Sequence, residues 1–258
     1  MLHDIMKTEK SRFARAMSRS QRVVYPHEHP TGIMEAPLWL AAKKGCLEKV
    51  TQLISLEPNE IEQCGGYNHC SPLAIATVHN KTAVVLKLIE CGADLLSKDR
   101  YFMETPLHLA VRKYNARQDT TNIASILIKA MKSKNITLDT IYECGRTALH
   151  LAVADRNDSI VVELLESGAN VKVRDVSGSS PLKCSILDQN ANIAKILIQY
   201  GADIDEKYNF GRTPLHLSTK NKDNTITSLL LGHGAEITKD FGGSSYMDLF
   251  HKMDFSME

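Results

Sequence analysis

The sequence predicts an all-α solenoid in which short helix-turn-helix units stack along one axis. A five-residue pattern, typically Thr or Ser followed by Pro or Ala and then Leu, recurs along the 258 residues, with worn copies at both ends. The copies begin at positions 36, 71, 105, 147, 180, 213 and 245, so the intervals are 35, 34, 42, 33, 33 and 32. A repeat length of roughly 20–50 residues is typical of units that bury their apolar faces only against neighbouring units.

The pattern predicts the start of a short first helix in each unit. Thr147 can accept hydrogen bonds from the unpaired backbone N–H groups of a first helical turn. Pro106, Pro181 and Pro214 stand one place later in their copies, where the missing N–H of a proline is not needed. The leucines that follow would form the buried side of this helix.

A second helix is predicted from the dense apolar run that follows, for example residues 160–165. Apolar residues cover more than one narrow stripe of such a helix, which fits a helix packed between neighbours. A glycine follows four of these runs and can close a helix in the left-handed conformation without a Cβ clash. These glycines are Gly92, Gly168, Gly201 and Gly234.

The copies that begin Thr-Pro-Leu-His at positions 105 and 213, with a period near 33, resemble the ankyrin repeat. The resemblance covers residues 34–258. It implies an ankyrin-repeat solenoid of six repeats with short β-hairpin connections and a C-terminal capping helix near residue 245. It also implies that His108, His150 and His216 hydrogen-bond the first helical turn to the adjoining loop and are not catalytic. Residues 1–33 form a basic arm outside this domain, expected to be a flexible tail or, alternatively, a localisation element.

The third copy is longer than the others. Counted against the fourth copy, five extra residues fall between its two helices, within residues 112–121, and four fall after Ile128. Four residues are about one helical turn, so the second helix is predicted to continue to Lys134, with Asn135 in the left-handed stop. The inserted segment is either a partner-specific projection or a tolerated surface loop.

Composition and charge exclude several classes of protein. The net charge is +1, so we expect neither nucleic acid nor a membrane surface as a partner. No apolar run reaches the length of a membrane span or of a signal peptide. Six cysteines are scattered without C-x-x-C pairs, which indicates reduced thiols and a cytoplasmic or nuclear location. We find no motif typical of a catalytic, cofactor-binding or metal-binding site, so we expect no enzyme, cofactor or metal.

The resemblance implies a protein partner, bound by the hairpin tips and by the exposed side of the first helices, which together line a concave face. Four of the five tips carry aromatic residues in a chain that is only 6% aromatic, and Tyr and Arg often anchor interfaces. The tip positions are Tyr67, Tyr101, Phe102, Glu104, Tyr142, Arg146, Tyr208, Phe210 and Arg212. The first-helix positions are Arg112, Lys113, Asp155, Asp188 and Lys220. We expect an aromatic ladder with basic ends and an acidic middle; alternatively, some rings pack on adjacent tips and only stiffen them.

These features predict a monomeric, non-enzymatic protein–protein interaction module or adaptor. Two alternatives stay open: a substrate-recognition subunit of a ubiquitin ligase, and an inhibitor that masks a transcription factor. About twenty residues follow Thr238 and resemble a capping repeat, which leaves little room for a ligase-binding box. No acidic regulatory tract supports the inhibitor. The sequence does not indicate which protein is bound.

Overall fold

The structure, a computed structural model, describes residues 36–66, 69–112, 121–142 and 144–238. These residues form twelve α-helices in six consecutive pairs, with two 3-10 helices at Pro58–Glu62 and Asn209–Gly211. The first helices of the pairs are α1 Pro37–Lys44, α3 Pro72–Val78, α5 Pro106–Val111, α7 Ala148–Ala154, α9 Pro181–Leu187 and α11 Pro214–Lys220. The second helices are α2 Leu47–Leu56, α4 Thr82–Glu90, α6 Thr121–Ser133, α8 Asp158–Glu166, α10 Ala191–Gln199 and α12 Asn224–Gly232.

Some of the predicted features lie outside the described residues. These are the basic arm, Tyr67, Lys113 with the inserted segment, and the capping copy near residue 245. The domain boundary at residue 34 and the capping helix therefore stay predictions.

Two layers of helices build the solenoid. Each first helix packs against the first helices of neighbouring pairs, and each second helix packs against neighbouring second helices. The two helices of a pair also contact each other. Leu164 and Leu197, from adjacent second helices, are fully buried. Because each pair covers its apolar side with its neighbours, stability depends on the stack.

The predicted signals at the start of the first helices are confirmed. Ser71 Oγ accepts the backbone N–H of Ala74 at 3.2 Å. The backbone N–H of Thr147 donates to Nδ1 of His150 at 3.2 Å, and the Thr147 hydroxyl contacts the same nitrogen at 3.0 Å. Ala36 makes no such side-chain hydrogen bond, as expected for the degenerate first copy of the repeat.

Left-handed residues end both helices in repeats two, four, five and six. Gly168 has φ +94° two residues after α8, and the other predicted glycine stops share this conformation. Most first helices also end at a left-handed residue, which the sequence did not indicate. After α7 this residue is Arg156, with φ +54°, and the N–H of Asn157 bonds back to Ala152 O at 3.0 Å. Such a backbone bond closes the helix whatever the side chain is. The equivalent residues are Gly45, Asn80, Gln189 and Lys222.

The hairpin connections are tight turns that stack side by side. In repeats three to six, one backbone hydrogen bond of 2.8–3.1 Å closes the base of each turn. The described residues contain no β-strand, and an isolated bridge joins Gly65 to Cys70. Neighbouring turns also bond, because Val176 N–H donates to Cys144 O at 3.1 Å. The implied β-hairpins are therefore present as stacked turns without regular strands.

The extension of the second helix in repeat three is confirmed. Helix α6 is 13 residues long and continuous, and Met131 in its last turn is fully buried. Asn135 has φ +53°, and Ile136 N–H donates to Met131 O at 2.9 Å. The helix ends one residue earlier than predicted, because Lys134 already lies in the closing turn.

Candidate partner-binding surface

Large apolar side chains are exposed along the tips of repeats three to six, where a tip is the turn that precedes a first helix. Five such side chains expose 45–80% of their surface and occur in every one of these four tips. We name them the tip ridge: Tyr101, Met103, Ile141, Val176 and Phe210. An apolar row of this kind is typical of a contact surface, since isolated proteins seldom leave large apolar patches in water.

The expectation that all tip rings are exposed is wrong for Tyr142. This side chain is 7% exposed. Its ring packs edge-on against His108, with the centroids 5.2 Å apart, and the Arg112 guanidinium lies 5.2 Å from its centroid. Burial also raises the pKa of the Tyr142 hydroxyl. Tyr142 therefore links two repeats and does not present its ring to a partner.

Tyr208 is half-buried by the adjoining repeat. Its hydroxyl donates to Glu206 Oε1 at 2.5 Å, and the same oxygen accepts from the Ser180 hydroxyl. The Lys183 ammonium lies 4.8 Å from the ring centroid. Burial, followed by the charge of Glu206, raises the pKa of Tyr208. This ring stiffens the tip, as the alternative interpretation of the aromatic ladder allowed.

In the described tip residues, the carboxylates are buried and paired. Glu104 is fully buried and pairs with Arg112, with an N–O distance of 2.5 Å. It is therefore not available as a contact residue. Asp175 pairs with Arg146 at 3.2 Å, and its pKa is lowered because hydrogen bonds and the charge of Arg146 outweigh burial.

The remaining candidates lie on partly accessible surface. Asp155 and Asp188 are half-buried, and burial raises the pKa of Asp188. Arg156 donates to the backbone oxygen of Asp188 at 2.6 Å. Lys220 is exposed. The other half-buried candidates are Phe102, Arg112, Arg146, Tyr208 and Arg212.

Two residues of the tip ridge have a backbone conformation that favours glycine. The position two places before the helix cap is left-handed in each of these tips, and it is Gly145, Gly178 and Gly211 in repeats four to six. In repeat three it is Met103, with φ +56°, and Phe210 is left-handed too, with φ +65°. A bulky residue at such φ costs about 1 kcal/mol or more. Met103 is 47% exposed and Phe210 is 70% exposed, so burial offsets only part of this cost, and backbone strain of this kind is found more often at functional sites.

Met103→Gly is expected to raise the free energy of unfolding by about 0.5–1 kcal/mol. Glycine removes the Cβ strain of the left-handed backbone, worth about 1–2 kcal/mol, against a smaller loss of chain entropy. Urea unfolding would measure the change. Met103→Ala is the control, because alanine keeps the Cβ and should bring no gain. An equal gain from both variants would mean that the Met103 side chain, not its backbone, is unfavourable.

The recurring histidines are buried, and His108 and His150 join neighbouring repeats. His150 Nε2–H donates to Ser179 O at 3.1 Å, so Nδ1 is the acceptor that faces Thr147. His108 bonds to Thr140 O at 3.0 Å in the same way. Burial lowers the pKa of His108 to about 4 and also lowers that of His150, so both rings are neutral at pH 7. The hydrogen bonds that the resemblance implied are confirmed for both residues.

Within the described part of the chain, no group of three or more His, Cys, Asp or Glu side chains is placed to hold a metal ion. No helix there combines the length and the apolar character that crossing a membrane requires.

The repeat architecture agrees with a family comparison. A family model described as "Ankyrin repeats (3 copies)" matches residues 96–175 and 154–240. Together these matches cover more than half of the 258 residues. The chain belongs to the ankyrin repeat family, whose repeat domains are protein-interaction modules.

Sequence comparison also finds similarity to individual ankyrin repeat proteins. Human B-cell lymphoma 3 protein is 31% identical over 151 residues, which cover 57% of this chain and 32% of that protein. Its mouse homolog is 32% identical over 174 residues, covering 62% and 38%. Human SH3 and multiple ankyrin repeat domains protein 2 is 34% identical over 104 residues, covering 40% and 5%. The matches thus span about a third of the first two relatives.

A solved structure agrees with the fold. The crystal structure of the ankyrin repeat domain of Bcl-3, described as a unique member of the IkappaB protein family, matches with a TM-score of 0.74. The match covers 84% of this chain and 94% of that chain at 24% identity. The chain thus has the fold of that ankyrin repeat domain.

Proposed function

We propose that this chain is a non-enzymatic adaptor that binds a protein partner along the tip ridge and the adjoining first-helix surface. One observation carries the proposal: five large apolar side chains are exposed in four consecutive tips. Contact with a partner would remove this apolar surface from water, a transfer favourable by roughly 25 cal/mol per Å², which offsets the entropic cost of association. Asp155, Asp188 and Lys220 would form the polar rim of the interface.

The double variant Tyr101→Ala with Phe210→Ala is expected to abolish recovery of the partner in affinity purification with quantitative mass spectrometry. Interface aromatics often contribute 2 kcal/mol or more each, and both residues are exposed, so folding should be intact. Circular dichroism would verify the fold.

The matched control removes two exposed leucines from the second-helix layer, as Leu56→Ala with Leu86→Ala. This control should recover the same proteins as the unchanged chain. Equal recovery by the tip variant and the control would show that the tip ridge is not the interface.

We extend the proposal to location and assembly. All six cysteines are free thiols, which supports a reducing compartment, the cytoplasm or the nucleus.

We propose a monomer, because an elongated stack of repeats leaves its binding surface open along its length. Size-exclusion chromatography with light scattering would test the monomer.

A second candidate function is a regulator that masks a transcription factor. The similarity to B-cell lymphoma 3 protein favours it, since the solved domain is described as a member of the IkappaB protein family. If the recovered partner binds DNA, an electrophoretic mobility-shift assay would distinguish masking of a transcription factor from the adaptor function. Loss of the DNA complex on addition of this chain supports masking, and an unchanged complex supports the adaptor.

A further inference from the structure

Among the described residues of the tips, the exposed charges are basic. In the described tip residues (97–104, 140–142, 144–146, 173–179 and 206–212), no acidic side chain is exposed. The exposed charged residues there are Lys98, Arg100, Arg174 and Lys207. At the tips, an approaching partner therefore meets apolar side chains flanked by positive groups, while Asp155 and Asp188 lie on the adjoining first-helix surface.

The described carboxylates of these tips have partners inside the protein. Glu206 forms an ion pair with Arg174, with an N–O distance of 3.0 Å. Asp99 Oδ1 accepts the backbone N–H groups of Phe102 and Glu104, at 3.1 and 3.0 Å. Glu104 and Asp175 pair with arginines, as described above. These buried groups support the turns and do not face the partner.

We propose that the tip ridge binds an acidic protein segment that carries apolar side chains. This inference rests on the proposed function and adds the chemical class of the partner. Apolar side chains of the segment would contact the ridge, while its carboxylates would lie against Lys98, Arg100 and Lys207. Charge complementarity of this kind selects partners by sign and speeds association.

The composition of the ridge favours a protein segment over nucleic acid. Nucleic-acid surfaces combine positive groups with aromatic platforms on which bases stack. Three of the five ridge residues are Met103, Ile141 and Val176, which offer no aromatic face. Such side chains suit apolar side chains of a peptide.

Charge reversal separates the charge effect from the apolar contact. Arg100→Glu with Lys207→Glu lowers the net charge by 4, from +1 to −3. Lys129→Glu with Lys195→Glu makes the same change on exposed positions of second helices α6 and α10. The second pair is therefore the control for overall charge.

Fluorescence anisotropy would measure binding of the full chain to four labelled probes. These are a peptide of alternating Glu and Leu, one of alternating Lys and Leu, one of alternating Glu and Ser, and oligothymidylate. We expect the Glu–Leu peptide to bind best. The tip charge reversal should weaken that binding about tenfold, and added salt should weaken it too, while the control reversal has little effect.

The outcomes distinguish this inference from the proposed function. Equal binding of the Glu–Leu and Lys–Leu peptides, or an equal effect of both charge reversals, would overturn the acidic partner and leave the adaptor function intact. Tighter binding of oligothymidylate would replace the inference with a nucleic-acid partner. The adaptor function itself fails only if the Tyr101 and Phe210 double variant still recovers all partners.

Discussion

Leu197→Ala is expected to lower the free energy of unfolding by about 2–5 kcal/mol, the range for buried leucines cut back to alanine. Leu197 lies in α10, is fully buried and packs in the second-helix layer between α8 and α12. The lost free energy combines the transfer free energy of the removed side-chain atoms with the cost of the cavity left behind. In a repeat stack, that cavity also weakens the contact with the neighbouring repeats. Urea unfolding followed by circular dichroism would measure it.

Leu187→Ala is the matched control for this prediction. Leu187 ends the first helix of the same repeat and is 51% exposed. Its truncation should change the free energy of unfolding by about 0.5 kcal/mol or less, as for most surface changes. Similar losses at both positions would contradict the layered core.

Much of the fold could be predicted because its signals are local. The caps, the prolines after them and the glycine stops each act within one helical turn, so their residue types show in the sequence. Asn135 is the clearest example, since the count of extra residues placed the stop correctly. Arg156 and its equivalents were missed because a backbone hydrogen bond holds them left-handed, and residue type indicates this only weakly.

The candidate binding surface was harder to predict because exposure at a tip depends on the neighbouring repeat. Tyr142 and Phe210 both belong to aromatic tips. Tyr142 falls against His108 of the preceding repeat and is covered, whereas Phe210 is 70% exposed. Met103 and Ile141 carry no aromatic ring, so the aromatic pattern of the tips did not indicate them. Three other tips have glycine at the position equivalent to Met103. The missing glycine in repeat three is therefore the sequence feature that could have indicated Met103.

Acid is expected to destabilise the protein well above the pH at which carboxylates titrate. The pKa of His108 falls from 6.5 to about 4, chiefly because the ring is buried, and nearby Arg112 and Lys98 lower it further while the bond to Thr140 O raises it. Below pH 6.5 the unfolded chain therefore binds a proton that the folded chain does not. The stabilisation from a neutral His108 is complete above pH 6.5 and is lost as the pH falls towards 4.

The expected loss from His108 between pH 7.5 and 5 is about 2 kcal/mol, at 1.36 kcal/mol for each pH unit below 6.5. His79 and His150, whose pKa values are also lowered by burial, add to it in the same direction. Urea unfolding across this pH range would measure the slope. His108→Gln should reduce the stability lost between pH 7.5 and 5 by about 2 kcal/mol, although it lowers stability at pH 7.5, where its hydrogen bonds are lost. His233→Gln, at an exposed position, should keep the slope. Equal slopes for the two variants, or an NMR titration of His108 centred near pH 6.5, would show that burial does not hold this ring neutral.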